Sequence, residues 1–146
     1  FATERSQHLM SLGIPLNTDS TLKGQTVFLA ERCGELMHDN IITDRTILDV
    51  MAFTLNAKSI NHQDKEAFEV YASEFIKEYD YIFYISPQGL EIEDNGVRET
   101  DEHYRDLIDF TITTLIKIHG HKAGTIEKIS GSTDERIQQI LNITTL

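Results

Sequence analysis

Asn40-Ile41-Ile42-Thr43-Asp44-Arg45-Thr46-Ile47-Leu48-Asp49 is the stretch on which the reading of this chain turns. A short apolar run ends in an Asp-Arg pair, and a helical apolar pattern starts at once. The order predicts a strand, a charged pair at its carboxyl end, then a helix. In an open parallel sheet, ligands bind in the crevice beyond the carboxyl ends of the strands. A carboxylate placed there holds a metal or takes a proton, and a guanidinium beside it grips phosphate through a planar fork of donors. The same pair also fits a plain salt-bridged strand end that only caps the next helix.

Working outward, apolar residues recur at helical spacing on both sides. A short helix is predicted from Ser6 to Leu12, ended by Gly13-Ile14-Pro15. Val27, Ala30, Cys33, Leu36 and Met37 predict one apolar face of a helix that ends at His38. Ile47, Leu48, Met51, Ala52 and Leu55 predict the next. A helix starting at Asp64, which serves as its N-cap, carries Phe68, Tyr71, Ala72 and Phe75. Asp80-Tyr81-Ile82-Phe83-Tyr84-Ile85-Ser86-Pro87 is the clearest strand, and its unbroken apolarity predicts burial on both faces. A loop over 87–101 follows, rich in acids. Tyr104, Leu107, Ile108, Ile112, Leu115 and Ile116 then mark a long helix ending at Gly120. Gly124 to Ile129 is a last strand. Ser132-Thr133-Asp134-Glu135 is a capping box opening a final helix, with Ile137, Ile140 and Leu141 facing inward. Strands alternating with helices predict an α/β fold with a parallel sheet in one domain, 1–146.

Composition narrows the function classes. The chain has 146 residues, 13 Lys+Arg against 24 Asp+Glu, and a formal net charge of −11. An acidic surface without a basic run predicts no nucleic-acid partner, while a few converging arginines still make a local anion site. No apolar stretch approaches the length that crosses a bilayer, so no membrane partner is expected. The single Cys33 leaves no intrachain disulfide and suits a reducing cytoplasm. The histidines show no metal-protease or Cys-His spacing, no GxGxxG occurs, and none of the 8 glycines is followed by Lys, so the GxxxxGK[ST] phosphate loop is absent from these residues.

Several pieces nonetheless recur in a known order. Asp44-Arg45-Thr46-Ile47-Leu48-Asp49, the Tyr79–Tyr84 run, and Asp94-Asn95-Gly96-Val97-Arg98-Glu99-Thr100-Asp101 leading to Tyr104-Arg105 resemble the P-loop nucleoside and nucleotide kinase group. The likeness is to the ribosylnicotinamide-kinase-like family within it, often labelled an AAA-type ATPase domain. The resemblance implies a three-layer parallel sheet of the P-loop NTPase type, here lacking its first strand, P-loop and first helix. It implies that the chain is the downstream part of a longer protein, with a lid-like loop over 87–101. It also implies a cytoplasmic, ATP- and Mg²⁺-dependent kinase of a nucleoside-like small molecule: nicotinamide riboside, a deoxynucleoside or a nucleoside monophosphate. A homo-oligomer is compatible with that class. The alternative is a nucleotide-binding regulatory or interaction module without turnover.

Under the resemblance, Asp44 would contact Mg²⁺ through water or accept the proton of the attacking hydroxyl. Arg45 would bind phosphate or orient the acceptor. Glu4 and Arg5 would face the acceptor substrate. Arg98 and Arg105 would close over the phosphates of ATP, and Arg136 would lie near the nucleotide base. Each has a plainer alternative: Glu4 and Arg5 as first-turn helix residues, Arg98 as the balance of its acidic loop, Arg105 as a partner of Glu102 or Asp109 along its helix.

Overall fold

The computed structural model of the chain describes residues 6–88 and 101–145. Helix α3 (Ile47–Leu55) lies at its centre, with Ile47, Leu48, Val50, Met51, Ala52 and Thr54 all buried. These residues cover more than half of the helix circumference, and so wide an apolar face has to be packed against several other elements. Helices α2 (Leu22–Glu35), α4 (His62–Ser73) and α5 (Glu102–His119) enclose it. Thr54 is the polar member of the set, and its hydroxyl donates to the Val50 carbonyl at 2.8 Å, so its burial leaves no donor unmade.

The helix starts follow from side-chain caps. Thr21 accepts from the Gly24 N–H to open α2, Asn61 from the Asp64 N–H to open α4, and Asp101 from the His103 N–H to open α5. Asp64 is therefore a first-turn residue of α4, and Asn61 is the cap. α4 runs on into a 3-10 turn over Glu74–Glu78, which delivers the chain to strand β1 (Tyr81–Ile85). Helix α1 (Ser6–Ser11) precedes α2, and helix α6 (Thr133–Thr144) closes the chain behind the expected Ser132–Glu135 capping box.

β1 pairs in parallel with β2 (Thr125–Ile129), Tyr81 opposite Thr125 and Ile85 opposite Ile129, with α5 lying between them in sequence. Gly124 sets where the two strands meet. Its N–H donates to the Tyr79 carbonyl at 3.0 Å, and the Thr125 N–H donates to the Asp80 carbonyl at 2.8 Å. A Cβ at Gly124 would stand 2.5 Å from the Asp80 carbonyl oxygen, closer than any side chain tolerates.

The expected three-layer parallel sheet of the P-loop NTPase type does not form. Among the described residues the sheet has two strands, β1 and β2, set beside six α-helices. Ile41–Thr43 is not a strand: Asn40 has a φ of +56° and the Thr43 hydroxyl donates to the Arg45 carbonyl at 3.0 Å. Those contacts turn the chain locally, and Ile42 points into solvent. Thr43 makes only an isolated bridge, because two apolar residues are too few to extend pairing against that turn chemistry. β1 is correspondingly less buried than its unbroken apolarity predicts, with Tyr81 and Ile85 exposed at its ends and Ile82 buried at its middle. Four helix faces also differ from expectation. Tyr71 of α4 and Leu107 of α5 are exposed. Ala30 and Met37 of the expected α2 stripe are exposed, and so are Ile137 and Leu141 of α6. Most of the loop over 87–101 lies outside the described residues.

Candidate functional site

A cleft of about 1260 Å³ opens between α2, the Asn40–Thr46 turn, β1 and α5, and Ile140 and Thr144 of α6 also line it. Asp44, Arg45 and Arg105, up to 61 positions apart in the chain, all line it. Asp44 is exposed on its wall, which leaves the carboxylate available to a ligand.

Arg45 is held by two features of its surroundings. Its φ is +74°, a left-handed conformation that non-glycine residues adopt at a cost of about 1–2 kcal/mol. Its guanidinium carbon lies 5.7 Å from the centroid of the Phe53 ring, a cation–π contact that fixes the head group against the cleft wall. Strained backbone of this kind clusters at functional sites, where the surrounding structure over-determines it. Here the over-determining structure is the start of α3. Thr46 and Asp49 form a capping box, with the Thr46 N–H donating to Asp49 Oδ2 at 2.7 Å and the Leu48 N–H donating to Thr46 Oγ1 at 3.1 Å. The next N–H, that of Ile47, donates to the Tyr79 hydroxyl at 3.1 Å. Burial, chiefly, pushes the Tyr79 phenol well above the usual tyrosine range, so it stays protonated.

Across the cleft, Arg105 touches Asp106 at 3.2 Å, a neighbouring residue and neither of the expected helix partners. Asp109 instead accepts the Tyr84 hydroxyl. Partial burial and that bond push the Tyr84 phenol up to about 12. Arg136 is not brought to the cleft. Its guanidinium folds over the first turn of α6, donating to the Ser132 carbonyl and the Thr133 hydroxyl. Glu4, Arg5 and Arg98 lie outside the described residues.

Gln25, Phe28 and Arg32, spaced along one face of α2, and Phe53 of α3 also line the cleft, and apolar stripes alone do not mark them. Gln25 and Arg32 are each only 3% exposed. Arg32 Nη1 bonds Glu35 Oε2 at 2.9 Å, the other Glu35 oxygen is buried without a partner, and the Gln25 carboxamide makes no hydrogen bond among the described residues. The signal was present: Gln25, Phe28, Leu29, Arg32 and Leu36 recur at helical spacing, a stripe that mixes apolar and polar types. Cys33 is half-buried beside the core, and burial raises its thiol pKa.

Among the described residues no group of three or more acidic, His or Cys side chains is arranged to hold a metal ion. A magnesium ion needs no such cage, because it commonly binds through one or two carboxylates, waters and the phosphates of its ligand. Asp44 offers that single carboxylate. Among the described residues no helix is long and apolar enough to cross a membrane. Comparison of the chain with protein-family models, with curated proteins and with solved structures finds no match.

Proposed function

We propose that the cleft binds a nucleoside-like small molecule and that the protein carries out ATP-dependent phosphoryl transfer to it. The observation that carries this reading is the convergence of Asp44, Arg45 and Arg105 on one cleft also lined by Phe28, Phe53 and Tyr104. Phosphoryl transfer asks for charge neutralisation and positioning more than for covalent chemistry. Guanidinium groups stay charged and bind paired oxygens, and aromatic walls suit the flat face of a base. Arg45 binds a phosphate oxygen or orients the acceptor, with its backbone already fixed. Asp44 accepts the proton of the attacking hydroxyl or holds Mg²⁺ together with the ligand's phosphates. The ion itself supplies neutralisation of the charge that develops on those oxygens. Arg105 covers the phosphates from α5. A reducing, cytoplasmic setting goes with this reading and with the free thiol of Cys33.

Binding without turnover is the second reading, favoured by the lack of a GxxxxGK[ST] phosphate cradle within these residues. The test is label transfer from ATP to a panel of nucleosides and nucleoside monophosphates, using the natural polypeptide that carries this chain, with and without Asp44→Asn. Transfer that falls at least about a hundredfold in the variant supports the first reading. Binding of nucleotide with no transfer to any acceptor favours the second. Undiminished transfer in Asp44→Asn removes Asp44 from the mechanism.

A further inference from the structure

We propose that α2 is the specificity wall of the cleft, and that Gln25, Phe28 and Arg32 hold an acceptor nucleoside lengthwise, base toward Gln25 and sugar toward Arg32. The inference deepens the function proposed above and rests on it.

Polar side chains this deeply buried are normally hydrogen-bonded within the protein. Gln25 departs from that rule, and it shares one face of α2 and one cleft with Arg32, whose Nη1 is held by Glu35. Gln25 and Arg32 stand two turns apart, about 10 Å along the axis, with Phe28 between them. That spacing matches an elongated ligand with a flat middle and a hydrogen-bonding group at each end. The two ends differ in chemistry. A carboxamide carries donors and an acceptor, as the edge of a nucleobase does, whereas a guanidinium only donates and suits sugar hydroxyl oxygens or a carbonyl.

A phosphate is the wrong partner for Arg32. Glu35 sits 2.9 Å from its Nη1 and already balances its charge. A dianion placed there would also face the Glu35 carboxylate, while a neutral oxygen would not. Glu35 instead fixes the guanidinium plane and leaves its remaining donors for the ligand. The orientation follows from the chain path. Arg32 stands in the last turn of α2, and only residues 36–39 separate that end from the Asn40–Thr46 turn. The Arg32 end of α2 is therefore the end nearer the Asp44–Arg45 turn. A sugar hydroxyl at that end lies toward the carboxylate proposed to take its proton.

Gln25→Leu, Arg32→Lys and wild-type protein, tested by calorimetry with nicotinamide riboside, adenosine and deoxycytidine, and with ribose 5-phosphate and ATP as probes of the phosphate side, decide the matter. Gln25→Leu is expected to weaken the best-bound nucleoside at least about tenfold and to leave ribose 5-phosphate unchanged. Its melting temperature is expected to hold or rise, because the substitution removes a buried amide that lacks a protein partner. Arg32→Lys keeps the charge opposite Glu35 but loses the planar fork, and is expected to weaken the nucleoside by a similar factor. A Gln25→Leu protein that melts lower and binds the nucleoside as wild type does would overturn the proposal. Wild-type binding of ATP and ribose 5-phosphate without any nucleoside would also overturn it, while leaving the phosphoryl-transfer reading intact. Gln25-dependent nucleoside binding with no phosphoryl transfer would uphold the wall and sink the transfer.

Discussion

The hydroxyl of Tyr79 accepts the main-chain N–H of Ile47 at 3.1 Å, across 32 positions of chain. Tyr79 stands just before β1, and Ile47 is the first residue of α3. One bond thus ties the strand side of the cleft to the turn that carries Asp44 and Arg45. Tyr79→Phe leaves the buried N–H without its partner and is expected to lower stability by about 1–3 kcal/mol. Chemical denaturation measures that loss. Ligand affinity is expected to fall with it, because the turn loses its anchor.

Arg45→Gly separates strain from binding. Glycine adopts the φ of +74° without steric cost, which offsets the lost contact with Phe53. Stability is expected to change by less than about 1 kcal/mol, since an exposed-type cation–π contact is worth about 0.5–1 kcal/mol. ATP affinity is expected to fall at least about tenfold in the same protein, in keeping with a lost charge-assisted bond. Retained affinity for ATP would remove Arg45 from the phosphate site.

Gly124→Ala forces a Cβ onto the Asp80 carbonyl, where backbone and no flexible side chain stands in the way. The two strands then have to part at their entry. The expected cost is about 1–3 kcal/mol, read from the shift in denaturation midpoint. A stability unchanged from wild type would mean that β1 and β2 do not meet as described.

How these elements relate to the sequence is instructive. Helices were readable where apolar spacing was strong: α5 with Ile108 and Leu115, and α3 with Ile47, Leu48 and Met51, stand within a residue or two of expectation. The Ser132 capping box was readable because its two halves lie three residues apart, and the matching Thr46–Asp49 box was open to the same reading. The sheet is smaller than the sequence pattern predicts for a physical reason. Ile41-Ile42 has strand-like side chains, but the backbone reverses at Asn40 and again at Arg45, which no hydrophobic pattern records. Asp44, Arg45 and Arg105, which stand out by their chemistry and order, line one cleft. Gln25 and Arg32 do not stand out in that way, because apolar stripes alone define the inner face of α2 and a buried polar pair runs against that pattern.

Alkaline titration tests the cleft wall opposite α2. The Tyr84 phenol, held up to about 12 by burial and by its bond to Asp109, keeps its proton longer folded than unfolded. Its contribution to stability is therefore complete below the ordinary tyrosine pKa of about 10 and is lost as pH rises through about 12. Tyr84→Phe is expected to flatten the fall in stability between those values, measured by denaturation at stepped pH. An unaltered pH slope would show that Tyr84 titrates as an ordinary surface phenol.

Backbone NMR during titration with ATP and then a nucleoside tests the site most directly. Amide shifts are expected to change at Asp44, Arg45, Ile47 and Arg105, with those of Arg136 and the rest of the first turn of α6 unmoved. Shifts confined to the first turn of α6 around Arg136, or no change in the cleft at saturating ligand, would contradict the placement of a phosphoryl-transfer site between the Asp44–Arg45 turn and α5.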